Sequence, residues 1–152
     1  MRRPKIGDIV EVPTKKGLAY AQYTHKNAKM GPLLRVFDAQ FPARPTHFAS
    51  IATLPVQFST FFPLGAAVHR GIFAVVAHEN ISAVNLAFPV FKNGVPDPGT
   101  NKVTNWWLWD GEKEWPVGKL TEEQKSFPDS QIVNDTMLVH LIETGWTSKQ
   151  LE

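Results

Sequence analysis

Four tryptophans lie close together in the chain and have the side chains best suited to bind another molecule. Trp106, Trp107, Trp109 and Trp115 fall within ten residues. Side chains alternate between the two faces of an extended strand, so Trp107 and Trp109 are expected on one face and Trp106 on the other. An exposed indole can stack on a sugar or a base and is enriched in protein interfaces, whereas a buried indole belongs to a core. The sequence leaves both interpretations of the cluster open.

Acidic residues surround this cluster. Carboxylates around aromatic anchors favour a basic protein partner by electrostatic complementarity. They are poor candidates for a metal site, because they are expected on turns and a solvated edge with no histidine nearby in the sequence. No catalytic residue, metal ligand or cofactor is predicted. The predicted partner-binding residues are Trp106, Trp107, Trp109, Asp110, Glu112, Glu114 and Asp97.

Common catalytic motifs are missing from the sequence. It contains no G-x-G-x-x-G, Walker A, G-x-S-x-G or H-E-x-x-H pattern. It also contains no cysteine, which excludes a disulfide framework and thiolate chemistry. A small hydrolase whose residues converge only in the fold remains the alternative from a different class. The histidines that such a site could use are His25, His47, His69, His78 and His140.

Charge is distributed unevenly along the chain. The net charge is +2, but residues 1–76 carry ten Lys/Arg against three Asp/Glu, and residues 77–152 carry six against eleven. The split indicates an oriented binding surface, unless the two halves interleave in the fold. Interleaved with Tyr20 and Tyr23, the N-terminal cations could form a nucleic-acid face, or they could be solvated turn and edge residues. These cations are Arg2, Arg3, Lys5, Lys15, Lys16, Lys26 and Lys29.

The pattern of strands and turns predicts one α+β domain over residues 1–152. Twelve prolines divide the chain into short elements. Strands are predicted at 6–12, 18–24 and 33–37 as an antiparallel meander, at 56–61, and at 72–77 as a strand buried on both faces. A helix is predicted at 46–54, and residues 92–99 are predicted to form a loop. The sheet is expected to be mainly antiparallel and strongly bent, or a small barrel.

The C-terminal half is predicted to hold a hairpin and two helices. Residues 103–109 and 112–115 are expected to pair around Asp110-Gly111 in a type I′ turn. The first helix is predicted within 120–127, capped by Thr121 with Gln124 completing a capping box and ended by Pro128. The second is expected over 135–144, capped by Asn134 and ended by Gly145. Its predicted apolar face consists of Met137, Leu138, Leu141 and Ile142.

A soluble, cytoplasmic protein without a membrane segment is expected. Two arginines near the start are not followed by the apolar stretch of a secretory signal. The longest apolar run, at 71–77, is much shorter than the roughly 20 residues of a membrane span.

Two segments near the start resemble the immunity protein 26 family, which is found beside bacterial polymorphic toxins. These are Ile-Gly-Asp-Ile-Val-Glu-Val-Pro at 6–13 and Gly-Leu-Ala-Tyr-Ala-Gln-Tyr at 17–23. Later segments, at 58–67, 107–111 and 134–135, look like related bacterial proteins of unassigned function. The resemblance implies a cytoplasmic protein that neutralises a toxin domain by occlusion, so no catalytic residues carry over. The acidic C-terminal half would then contact a basic toxin. A sugar-binding or nucleic-acid-binding module is the third interpretation.

Overall fold

The structure is a computed structural model that describes residues 3–150, with only the backbone at Gln150. Met1, Arg2 and residues 151–152 lie outside the described residues. The chain divides into two compact units, Met1–Ala87 with Gln131–Trp146, and Phe88–Ser130 with Thr147–Glu152. Both contain antiparallel sheets and short helices, which confirms the α+β class. The single domain over 1–152 stays a prediction, and each unit is described by itself.

The first unit is built on a five-stranded sheet. β1 (Asp8–Thr14), β2 (Gly17–Asn27) and β3 (Gly31–Phe41) form the predicted meander. β4 (Val56–Phe61) pairs with β3, and β5 (Ala74–His78) returns to pair with β1. The order is β4-β3-β2-β1-β5, with β4 and β5 at opposite ends, so the sheet is open rather than a barrel. Register shifts in three of the four strand pairs mark bulges, which bend the strands.

The position of β5 contradicts its prediction. The strand was expected to be buried on both faces, but it lies at the sheet edge and pairs with β1 alone. Ala74 and His78 are exposed and the three residues between them are half-buried. A continuous apolar run shows that the side chains of a strand are apolar, but it does not show whether the strand lies at the centre or at the edge of the sheet. Val76 has no partner between the pairs Val10↔Val75 and Ile9↔Ala77, and such a bulge makes an edge less available for further pairing.

The helix predicted at 46–54 is also wrong. Only Ile51–Thr53 is helical, as a single 3₁₀ turn. Phe48 and Ile51 instead pack individually onto one face of the sheet, where the Phe48 ring meets Tyr20 edge-on at 5.2 Å between centroids. The packing of these side chains on the sheet therefore determines the conformation of this segment, and helical periodicity does not.

The other face of the sheet carries the largest core. It is covered by α1 (Leu64–His69) and α4 (Asp135–Glu143). Leu138 is fully buried and Ile142 is 2% exposed. Met137, predicted on the same apolar face of α4, is 46% exposed, so that part of the prediction is wrong.

Both ends of α4 form as predicted. The Asn134 side chain accepts a hydrogen bond from the backbone N–H of Met137 at 2.8 Å. At the other end Gly145 has a φ of 68°, and the N–H of Trp146 donates to the carbonyl of Leu141 at 3.1 Å. This geometry is a Schellman motif. It turns Trp146 back so that its ring packs edge-on against Phe58, with centroids 5.5 Å apart.

Replacing the helix cap should measurably destabilise the protein. Asn134→Ala removes the side-chain acceptor for one otherwise unpaired N–H, and we expect a loss of about 1 kcal/mol in the free energy of unfolding. Asn134→Asp keeps an acceptor and should stay within about 0.5 kcal/mol of wild type. Urea denaturation followed by circular dichroism measures both. Equal destabilisation by the two variants would contradict a capping role.

The second unit is built on a three-stranded antiparallel sheet. β6 (Phe91–Gly94), β7 (Trp106–Trp109) and β8 (Glu114–Gly118) lie in the order β6-β7-β8. The helix predicted after Thr121 forms as α3 (Glu122–Lys125) with the expected capping box. A 3₁₀ turn at Ser148–Gln150 also belongs to this unit.

The β7–β8 hairpin is confirmed, but its turn differs from the predicted type I′. A type I′ turn needs positive φ at both central residues. Of the turn residues 110–113, Gly111 alone has a positive φ, of 99°. Asp110 instead pairs with Lys113, and its carboxylate accepts the backbone N–H groups of Glu112 and Lys113 at 2.9 and 2.8 Å. The aspartate therefore fixes the turn from its first position.

β6 replaces part of the loop predicted at 92–99. Asn93-Gly94 is a turn signal in sequence, yet both residues lie in the strand. A Cβ at Gly94 would collide with Val103 and come within 3.0 Å of the Trp106 ring. Close packing therefore accounts for this glycine.

Candidate functional site

The structure separates the four clustered tryptophans. Trp106 and Trp107 alternate across β7, as predicted, and Trp109 shares a face with Trp107. Trp106 is 8% exposed and belongs to the core of the second unit. Trp115 pairs with Leu108 and therefore lies on the Trp106 face.

The two most exposed tryptophans of the cluster cannot act together as one platform. Trp107 is 41% exposed and Trp115 is 37% exposed, but they lie on opposite faces of the sheet. The predicted sugar-binding arrangement needs two exposed, coplanar indoles. This pair does not provide it.

The Trp107 face has a covered end and an exposed end. At the covered end, Trp109 is half-buried, with Phe91 and Phe88 rings 5.4 and 5.9 Å away between centroids. At the exposed end, Trp107 lies between its cross-strand neighbours Asn93 and Pro116, both of which are exposed. Glu114, also exposed, pairs with Trp109 on the same face. We call Asn93, Trp107, Glu114 and Pro116 the Trp107 patch.

The side chains of Asn93 and Glu114 meet across the central strand. Asn93 lies on β6 and Glu114 on β8, two strands that are roughly 9.5 Å apart with β7 between them. Nevertheless, Asn93 Nδ2 donates a hydrogen bond to Glu114 Oε2 at 3.5 Å. The two side chains therefore meet over β7, on the face that carries Trp107 and Trp109. A negative charge is thereby held beside an exposed indole.

The other predicted acids lie in turns next to this sheet. Asp110 and Glu112 occupy the β7–β8 turn. The N–H groups of Lys113 and Glu112 hold the pKa of the Asp110 carboxyl below its usual value, in keeping with a structural role. Asp97 lies in the β6–β7 loop, where its carboxylate accepts the N–H of Gly99 at 2.7 Å. The structure therefore brings Trp107, Trp109 and Glu114 onto one face, with Asp110 and Glu112 at its end.

Two members of the Trp107 patch were not predicted. Asn93 was assigned to a loop, and Pro116 falls just beyond the return strand predicted at 112–115. Pro116 lies within β8, which is an edge strand and can accommodate proline. Their positions beside Trp107 depend on strand register.

The charge split is smaller between structural units than between sequence halves. The first unit contains ten Lys/Arg and six Asp/Glu, and the second contains six and eight. The reason is that Glu79, Asp135 and Glu143, which fall in the second half of the sequence, belong to the first unit. The second unit is nevertheless the acidic one, with a net charge of −2.

The nucleic-acid face considered for the N-terminal cations lacks its two tyrosines. Tyr20 and Tyr23 are 1% and 6% exposed, so neither ring can stack on a base. Lys15 and Lys16 lie at the β1–β2 turn, while Lys26 is near the other end of the eleven-residue β2. These cations are therefore divided between opposite ends of the strand.

A carboxylate and a histidine that are distant in sequence meet at the edge of the first unit. Asp8 Oδ1 lies 2.9 Å from Nδ1 of His78, with Asp8 fully buried and the His78 side chain 48% exposed. A buried carboxylate can orient an imidazole for acid–base work. Sequence alone gave no signal for this pair, because 70 residues separate its members. Among residues 3–149 no three His, Cys, Asp or Glu side chains are grouped as metal ligands would be.

A buried arginine ties α2 (Ala83–Leu86) to the sheet. Arg35 donates to the hydroxyls of Thr24 and Ser59, both at 3.3 Å, and to the carbonyl of Ala87 at 3.0 Å. Burial lowers the pKa of Arg35 to about 10. Because its donors are directed to protein oxygens, this cation has a structural role.

A pocket of about 480 Å³ lies beside α2 in the first unit. Its walls are Thr53, Leu54, Pro55, Val56, Ser82, Val84 and Asn85. None of these side chains titrates near neutral pH, so the pocket walls offer apolar contacts and hydrogen bonds rather than acid–base groups.

The second unit contains a buried lysine and aspartate. Lys92 Nζ donates to the carbonyls of Lys125 and Ser148, both at 2.6 Å, and lies 3.9 Å from Asp129 Oδ1. The Lys92 side chain is fully buried and Asp129 is 8% exposed. Burial raises the pKa of Asp129 to about 6, although Lys92 acts in the opposite direction.

The raised pKa of Asp129 predicts a pH-dependent stability. In the unfolded chain this carboxyl should titrate near 3.9. The folded state holds the proton more tightly, and the stability gained in this way is fully present below pH 3.9 and is lost as the pH rises through about 6. The free energy of unfolding of wild type, relative to Asp129→Asn, should therefore fall between pH 4 and pH 6. Asp110→Asn is the matched control, because the pKa of Asp110 is lowered, so its stability difference should be nearly flat between pH 4 and pH 6 and be lost only at lower pH. A flat difference for Asp129 would contradict the burial effect.

The fold and the site define an α+β protein with two open sheets and an exposed aromatic patch that carries a carboxylate. Comparisons of the chain with protein-family models, curated proteins and solved structures find no match. In the described part of the chain, no helix has the length and apolar character to cross a membrane.

Proposed function

We propose that this chain is a non-catalytic protein-binding module whose contact surface includes the Trp107 patch. The observation that supports this most directly is the 41% exposed indole of Trp107 on the central strand of its sheet. Tryptophan is enriched among the hot spots of protein interfaces. The indole offers a large apolar area and a polar N–H on a rigid strand, which lowers the entropy lost on binding.

The specific proposal is an immunity protein that binds and occludes a basic toxin domain in the cytoplasm. It depends on the resemblance at 6–13 and 17–23, segments that lie largely in β1 and β2. It also depends on the exposed carboxylates of Glu114, on the same face as Trp107, and of Glu112 in the adjoining turn. Occlusion needs a complementary surface and not an active site, and acidic groups around an aromatic anchor would favour a positively charged partner.

Capture of the partner tests this proposal. Tagged wild-type protein is used to capture proteins from lysate of its native host, beside Trp107→Ala and Glu112→Lys/Glu114→Lys. A true partner should be retained by wild type and reduced at least tenfold by either variant, as expected for losing a hot spot of about 2 kcal/mol. Asp110 is left unchanged, because its carboxylate fixes the turn.

Two controls have matched chemistry. Trp115→Ala removes a similarly exposed indole from the opposite face, and Glu122→Lys/Glu123→Lys on α3 makes the same change in net charge. Both should retain the partner. Expressed alone, the captured protein should arrest bacterial growth, and coexpression of wild type but not of Trp107→Ala should restore it. Equal capture by all variants would contradict binding through the patch.

A further inference from the structure

We propose that the Trp107 patch is a binding site for an arginine side chain of the partner. The guanidinium would stack on the Trp107 indole and donate hydrogen bonds to the Glu114 carboxylate. This inference rests on the proposed function, because it names the group that the partner inserts.

The first argument is the position of the carboxylate. The Glu114 carboxylate meets the Asn93 side chain over β7, and the hydrogen bond of 3.5 Å between them is long. Within residues 3–149, Glu114 forms no ion pair. An ionised carboxylate has about four acceptor sites, so most of its hydrogen-bonding capacity faces solvent beside the indole.

The second argument is a comparison of the indoles of β7. Trp106 is buried and has a cation of its own chain, with Lys92 Nζ 5.8 Å from the ring centroid. Trp109 is half-buried and contacts the rings of Phe88 and Phe91. Trp107 has neither kind of contact within the described residues, and its cross-strand neighbours Asn93 and Pro116 are both short. Its ring is the one on this strand that an external cation can approach.

The third argument selects arginine over other ligands. A guanidinium is planar, stacks on indole and forms bidentate hydrogen bonds with a carboxylate, whereas an ammonium is a strongly hydrated point charge. The carboxylates of Glu114 and Glu112 disfavour an anion. The single exposed indole on this face gives no second platform for a sugar ring.

Nuclear magnetic resonance of the indole N–H groups tests the site without the natural partner. The five tryptophans give five separate probes in ¹⁵N-labelled protein, and Trp107→Phe assigns the signal of interest. The ligand is the blocked peptide acetyl-Gly-Arg-Gly-amide at low salt. Its matched control replaces arginine by citrulline, which keeps the shape and removes the charge. We expect the arginine peptide to shift the Trp107 signal most, with Trp146 and Trp106 unchanged.

Two variants examine the role of the carboxylate. Glu114→Gln should reduce the initial slope of the Trp107 titration by roughly fivefold, and Glu112→Gln, which removes the same charge from the turn, should reduce it much less. Equal shifts with the arginine and citrulline peptides, or an unchanged slope in Glu114→Gln, would overturn the arginine site. So would a largest shift at Trp115.

The outcomes separate this inference from the proposed function. If Trp107→Ala abolishes partner capture but the arginine peptide does not shift Trp107, the protein-binding proposal stands and the arginine site fails. If the peptide shifts Trp107 as expected but Trp107→Ala captures the partner normally, the arginine site stands and the proposed function of the patch fails.

Discussion

Replacing Lys92 with methionine is expected to lower the free energy of unfolding by about 3–5 kcal/mol. Methionine has a similar length but removes the charge and every donor. The carbonyls of Lys125 and Ser148 then each lose a hydrogen bond of 2.6 Å. Asp129 loses its nearby cation, while its Oδ2 atom already has no hydrogen-bond partner. A buried charge left without compensation costs far more than an exposed pair. Chemical denaturation at pH 7 measures the loss.

Two further variants identify the cause of the stability loss expected for Lys92→Met. Lys92→Met/Asp129→Asn removes both charges and should recover part of the lost stability, because an uncharged amide is less costly to bury. Lys125→Met removes a cation whose partner Glu122 is exposed, so it should cost at most about 1 kcal/mol. A loss at Lys92→Met no larger than that at Lys125→Met would show that the buried network contributes little.

Truncating Leu138 to alanine should cost about 3–4 kcal/mol, because the removed atoms come from the interior of the largest core. Leu138 is fully buried and packs in a cluster that includes Val36, Phe58 and Ile142. The strands beneath α4 cannot collapse fully into the space left behind. Thermal and urea unfolding, followed by circular dichroism, give the change.

The neighbouring residue on the same helix is the control. Met137→Ala removes a side chain that is 46% exposed, and it should cost less than about 1 kcal/mol. Similar losses in the free energy of unfolding for Met137→Ala and Leu138→Ala would mean that α4 does not pack onto the sheet through the face that carries Leu138. This comparison also tests the sequence-based grouping of both residues on one apolar face.

Local signals in the sequence determined the elements whose geometry depends on a few adjacent residues. The meander of β1–β3, the capping box at Thr121 and both ends of α4 follow from turn and cap chemistry within four or five positions. The alternation of Trp106 and Trp107 follows from strand geometry alone. These features are stabilised by hydrogen bonds between residues that are close in sequence, so packing against residues far away in the chain does not alter them.

The tertiary structure alone decided which side chains are buried and which meet. The apolar run at 72–77 became an edge strand, and the turn signal Asn93-Gly94 became part of β6. Neither the buried Lys92–Asp129 pair nor the Asp8–His78 contact is encoded in local spacing, because each joins elements far apart in the chain. The Trp107 patch likewise depends on strand register, which places Asn93 and Pro116 beside Trp107. A local pattern specifies the direction of a side chain, but long-range pairing specifies its neighbours.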